Sequence, residues 1–384
     1  MRIGVTIFGL FFLLAGCSED TSRGGRVQAG LATEAHSMEH ERPVLSDAFH
    51  VNQIFESMKG PFTRRRIRVA KTPEPELLWL TGFQVEPVDA DGVHRMSDEF
   101  ECHTNLAWTR DPHPSGFNRP RRRTFTLTQG QTDLRLPPGF GVPILSTEEL
   151  IFNSQALNLN QPEIDVTIRH RAKIRFLRDK ELAAPITPLV VAAAQVMTTL
   201  EAEPNVLHVA NPNGKLAEAS CSIGEEATGP LITDRFGRQF AGHWIVKPGR
   251  QEARTLVTEQ LRIPYDTTIH FIGVHTHPYS VSLELQDLTT GKTVWKSYQK
   301  THPDRLGLAW MDYYSSVEGI PVHGDHDYQL ISVYDNPTDG DSTAMASMFV
   351  YYRDKSFGPA SRTNASPQSA SAPSASDEIG ASAM

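Results

Sequence analysis

Cysteine is scarce in this chain: three in 384 residues, at positions 17, 102 and 221. That excludes a disulfide-dense scaffold, so stability must come from buried apolar area. Positive charge is in deficit, with 37 Lys and Arg against 45 Asp and Glu and a formal net charge of −8. This speaks against nucleic acid as a partner, despite the local runs TRRRIR at 63–68 and RPRRR at 119–123. Long apolar runs are missing after the first residues, which excludes a helical membrane span in the body of the chain. Helix-period patterning is nearly absent. Only PLVVAAAQVMTTLEAE at 188–203 reads as a helix, and it reads equally as an apolar strand with a loop.

What is present begins at the N-terminus. MRIGVTIFGLFFLLAGCSED carries one Arg, a short apolar run and small residues before a cysteine, the pattern of a cleaved secretory signal. Its LLAGC ending resembles a bacterial lipobox, which implies a signal peptide over 1–16, a lipid on Cys17 and a mature chain tethered to the envelope membrane. Ser18 after that cysteine implies, by the same resemblance, the outer membrane. Residues 17–45 read as a polar tether, and the Ser-, Ala- and Pro-rich tail from 356 to 384 reads as disordered. In the oxidising compartment this implies, Cys102 and Cys221 are either a disulfide or two buried thiols.

Between tether and tail, short alternating or β-branched runs are broken by Pro, Gly and Asp: LLWLTGFQVEPV, DVTIRHRAKIRFL, TTIHFIGVHTH, VSLELQDLTTGKTVW and DYQLISVYD. Such spacing predicts an all-β chain of two antiparallel β-sandwich domains of jelly-roll type. The expected boundaries are 46–185 and 241–355, with an interdomain segment over 186–240 where NPNG and GEEATGP break the pattern.

Chemistry concentrates in FIGVHTHPYS. His275 and His277 stand one residue apart in a strand-forming run and so share one face. Further on, GDSTAMASMFVYYRDK places Met345 just before an apolar, aromatic strand. If that strand lies beside the histidine strand, two imidazoles and a thioether meet, a donor set that suits copper because the soft sulfur stabilises Cu(I) and adds little for zinc. A zinc site would instead take a third histidine, with His302, His323 and His326 as candidates.

VHTH at 274–277 together with AMASMFVYY at 344–352 resembles the copper type II, ascorbate-dependent monooxygenases, the family of peptidylglycine hydroxylase and dopamine β-hydroxylase. The likeness covers residues 240–355 and thins before them. It implies a copper held by His275, His277 and Met345 that meets dioxygen, with a reductant and a small-molecule or peptide substrate. It also implies a second, electron-storing copper on three N-terminal histidines. Here MSDEFECHTNLAW offers Cys102 and His103 for the adjacent pair, and Ala156 stands where the third ligand is expected. Cys102 is open to two readings, thiolate ligand or core thiol, and His103 to ligand or core histidine. The family's carboxylate-gripping Arg, Asn and Tyr are matched by Gly273, Ser347 and Phe349, which argues against peptide amidation. Two functions are therefore expected: oxygen activation at a single copper, or copper binding, storage or sensing without turnover.

Overall fold

A computed structural model describes residues 38–109, 123–199, 209–210, 231–233 and 238–358. Cys17 and Cys221 lie outside them. Among the described residues nearly all of the regular structure is β-strand, as the alternating runs predict. Among the described residues, the longest α-helix is the single turn Thr258–Leu261, and no helix is long and apolar enough to cross a membrane.

One broad sheet runs through the molecule. In spatial order it contains His40–Leu45, Val166–Arg178, Leu77–Asp89, Phe140–Leu145, Thr187–Gln195, Ala346–Arg353, Thr267–Thr276 and Tyr314–Val322. Neighbours pair antiparallel except at Thr187 beside Phe140, where the ladder is parallel. A four-stranded sheet made of Phe62–Ile67, Leu150–Ala156, Glu101–Trp108 and Arg123–Thr128 contributes to an N-terminal core with Leu80, Phe83, Phe125, Phe152 and Ile174. A six-stranded sheet that includes Gly249–Leu256, Tyr328–Asn336 and Ser280–Asp287 contributes to a second core with Leu261, Leu283, Leu330 and Val350.

Strand alternation explains how one sheet serves both cores. In Thr187–Gln195, Leu189, Val191 and Ala193 enter the first core, while Val190, Ala192 and Ala194 enter the second. A strand buried on both faces needs an unbroken apolar run, which is why PLVVAAAQ shows no period of two. The stretch expected to join two domains is thus, over 187–195, a central strand of both. The neighbouring strands repeat the division: Phe271, Phe349 and Tyr351 face the first core, and Ile272, Val274, Met348 and Val350 the second.

Two other boundaries move. His40–Leu45, expected in the tether, pairs with Val166–Arg178 in the register His40 to Phe176 and covers an edge that a strand of 13 residues would otherwise leave open. Phe357, expected in the tail, sets its ring 5.4 Å from that of Trp79.

Candidate metal centre

His275 and His277 lie at the end of Thr267–Thr276 and just past it, on the face turned toward the four-stranded sheet. Antiparallel pairing sets His275 opposite Ser347 and Thr276 opposite Ala346, so the next step sets His277 opposite Met345. Cross-strand neighbours share a face. At this step the Tyr334 hydroxyl takes the place of the ladder: it accepts from the His277 N–H at 3.0 Å and donates to the Met345 carbonyl at 2.6 Å. Burial pushes the Tyr334 phenol up, so it keeps that proton. The two strands predicted to meet are therefore side by side, and all three residues are buried.

Two further histidines reach this place. His103 comes from Glu101–Trp108, where a β-bulge between Glu101 and His103 breaks the alternation and re-aims the side chains. Its ring centroid is 5.6 Å from that of His275, and its Nδ1 is 3.2 Å from the Cys102 Sγ. His243, on the bend before Trp244–Val246, sets its ring 5.8 Å from that of His277, while His275 and His277 are 5.6 Å apart. Four imidazoles thus form a row, three of them named from sequence. His243 was missed because FAGHW has neither a strand-length alternation nor a second histidine in step with it.

The electrostatics are uniform. Burial, chiefly, holds the His103, His275 and His277 imidazoles well below the usual histidine range, with smaller repulsions from one another and from the nearby Arg123 guanidinium or His243. His243 is lowered by burial as well. All four are neutral and offer lone pairs. Thr128 fixes one tautomer: its hydroxyl donates to the Cys102 carbonyl at 3.1 Å, so its oxygen accepts from the His275 Nδ1–H at 3.0 Å, and Nε2 is left as the lone pair. The Nε2 atoms of His103, His275 and His277 and both ring nitrogens of His243 are buried without a hydrogen-bond partner. Each such atom costs roughly 1–3 kcal/mol, and native proteins seldom leave one. Five unpartnered nitrogens on four neutral rings, each ring able to present one lone pair and no acid beside them among the described residues, have the chemistry of a cation site. Among the described residues, no three His, Cys, Asp or Glu side chains close around one point as they stand, so binding an ion requires the rings to draw in.

The remaining candidates fall elsewhere. Ala156 is buried among Phe49, Val51, Phe100 and Ile168 and offers no donor atom. His323 and His326 face Asp266 and Asp287 beside Thr267, where Val322 pairs, at the opposite end of the strand that delivers His275. His302 lines a cavity of about 450 Å³ with Tyr279, Gln299 and Arg305. Among the described residues none of these three closes with His275 and His277 around one point as the third ligand of a zinc site. Gly273 lies under the Gln131 side chain, and Phe349 belongs to the apolar core.

A second buried polar group lies nearby. His170 Nδ1 is hydrogen-bonded to Ser154 and 3.3 Å from Glu101 Oε2. Both approach the same nitrogen, whereas a nucleophile–base–acid relay needs opposite ones. Burial keeps the pair uncharged, with the Glu101 carboxyl raised and His170 lowered to about 3.

No family model and no curated protein matches this chain. Among solved structures it is similar to the major capsid protein P2 from bacteriophage PM2, at 8% identity over 80% of this chain and 97% of that one, with a TM-score of 0.30. It is also similar to PNGase F, a glycosylasparaginase from Flavobacterium meningosepticum, at 8% identity over 82% and 96%, with a TM-score of 0.33, and to the STIV MCP, at 8% identity over 82% and 97%, with a TM-score of 0.28.

Proposed function

We propose that this chain is a copper-binding protein of the bacterial envelope, anchored through a lipid on Cys17, with one copper held by His275, His277 and Met345. The observation that carries the reading is the pair of buried, unpartnered Nε2 atoms of His275 and His277 on one face, with Met345 across the ladder from His277. Imidazole with thioether favours copper over zinc and Cu(I) in particular.

In this reading the protein's own groups prepare the site. Thr128 holds the proton on His275 Nδ1, Thr343 lies 3.5 Å from His277 Nδ1, and Tyr334 locks the two strand ends together. Bound copper supplies one-electron redox chemistry toward dioxygen, given an external reductant. The substrate is a small molecule or peptide without the carboxylate grip of a peptidylglycine, because Gly273, Ser347 and Phe349 offer no cation at the matching positions.

Copper binding without turnover is the second reading. It is favoured by Ala156, which removes a ligand from the electron-storing site that coupled oxygenation needs in the family this chain resembles. Copper per chain in purified protein tests the common ground: one equivalent is expected, and two would overturn the single-site reading. Oxygen consumption with ascorbate then separates turnover from storage. For the anchor, Cys17→Ser is expected to release the protein from the membrane fraction, and retention through an alkaline wash would retire the lipid.

A further inference from the structure

We infer that His243 is a third imidazole ligand of the same copper centre, an inference that rests on the copper reading above. Met345 joins Ser342–Ala344 to Ala346–Arg353, and each of those strands has a partner of its own. On one side Thr276 pairs with Ala346, which brings His277 to Met345. On the other, Trp244 pairs with Ala344, and the next antiparallel step brings His243 to Met345. His277 and His243 therefore flank the methionine from opposite edges. Backbones two strands apart are about 9.5 Å from one another, yet these rings approach to 5.8 Å. The two rings therefore lean toward one another across the position of Met345 in the register.

The spacing suits a shared ion. Rings bound through nitrogen at 2.0–2.1 Å with a tetrahedral angle between them have centroids roughly 5.2 Å apart. Movements of well under an ångström bring the His275–His277 pair at 5.6 Å and the His277–His243 pair at 5.8 Å to that value, and a shared ion further draws His243 and His275, on either side of His277, toward one another. Among the described residues nothing else claims the His243 ring: both its nitrogens are buried without a partner, and no carboxylate there makes it half of an ion pair. His103 differs, because among these imidazoles the ring it meets is that of His275, the histidine farther along the ladder from Met345.

Counting coordinated imidazoles in the Cu(II)-loaded, full-length protein by pulsed electron paramagnetic resonance tests the assignment. Three are expected in the wild type, three in His103→Gln, and two in His243→Gln, with Cu(II) affinity in His243→Gln lower by about tenfold or more in a competition assay. Two imidazoles in the wild type, or an unchanged count and affinity in His243→Gln, would overturn it while leaving the His275, His277 and Met345 centre intact. Should His243→Gln fail to fold, the wild-type and His103→Gln counts decide alone: three in both leaves His243 as the third ligand, and any lower count in either removes it. A wild-type protein that takes up no copper at all would instead bring down the parent reading, and this one with it.

Discussion

Thr128 sets the tautomer of His275 from outside the proposed copper site. With its proton committed to the Cys102 carbonyl, its oxygen accepts from His275 Nδ1 and leaves Nε2 bare. Thr128→Val keeps the shape and removes both bonds, so His275 is free to carry its proton on either nitrogen. Copper affinity is expected to fall 10- to 100-fold, the usual cost of losing a ligand's supporting hydrogen bond, with circular dichroism unchanged. Affinity equal to wild type would show that ring packing alone orients His275. Met345 has a different signature. Met345→Leu preserves buried volume, so the protein should fold and lose affinity for Cu(I) far more than for Cu(II), because only Cu(I) gains much from sulfur. Equal losses for both oxidation states would make Met345 a core residue and nothing more. The Cys102 thiol, buried against His103 Nδ1, is expected to show the same slow alkylation with and without copper. Protection by copper would bring it into the centre as a thiolate.

At the scale of strands, the bend at Gly242 is what brings His243 within reach. A Cβ at Gly242 would stand 2.1 Å from the Gln195 Nε2, the atom that donates to the Gly242 carbonyl at 3.1 Å. Gly242→Ala must therefore swing that amide away and lose its bond, at a cost of about 1 kcal/mol. A small drop in melting temperature together with weaker copper binding is expected; weaker stability with undisturbed copper binding would separate the bend from the site. The same strands show what can be read in advance. TTIHFIGVHTH announces its strand and the shared face of His275 and His277, because alternation is local. The pairing of that strand with Ala346–Arg353 was reachable only through the family resemblance, since register between distant segments leaves no mark in either one. Thr187–Gln195 hid its nature because burial on both faces erases the alternation. His243 was beyond pattern reading because a bend delivers it, and His103, named through the family resemblance for a second site, could not be placed beside His275 because a bulge delivers it; neither follows a period.

For the molecule as a whole, buried neutral histidines tie stability to acidity. His170 is lowered to about 3 in the folded chain and returns to about 6.5 on unfolding. Below 6.5 the unfolded chain takes up a proton that the folded chain refuses, so its contribution is complete above that pH and drains as pH falls toward 3, at about 1.4 kcal/mol per unit. His170→Gln is expected to reduce the slope of unfolding free energy between pH 6 and 4 by about one proton; a slope equal to that of the wild type would mean that His170 is charged in the fold.

The strand common to both cores carries a consequence for biogenesis. Thr187–Gln195 pairs along its length with Ala346–Arg353, and the latter supplies Phe349 and Tyr351 to one core and Met348 and Val350 to the other. Neither half can close until the last strand arrives. A nascent chain emerging N-terminus first must therefore wait, with two apolar surfaces uncovered, until Ala346–Arg353 is through, and contacts so distant in sequence form slowly. A chain ending before Ala346 is expected to unmask both halves to protease together rather than leave an intact N-terminal fragment, so whatever holds the nascent chain must shield both surfaces until that strand is made.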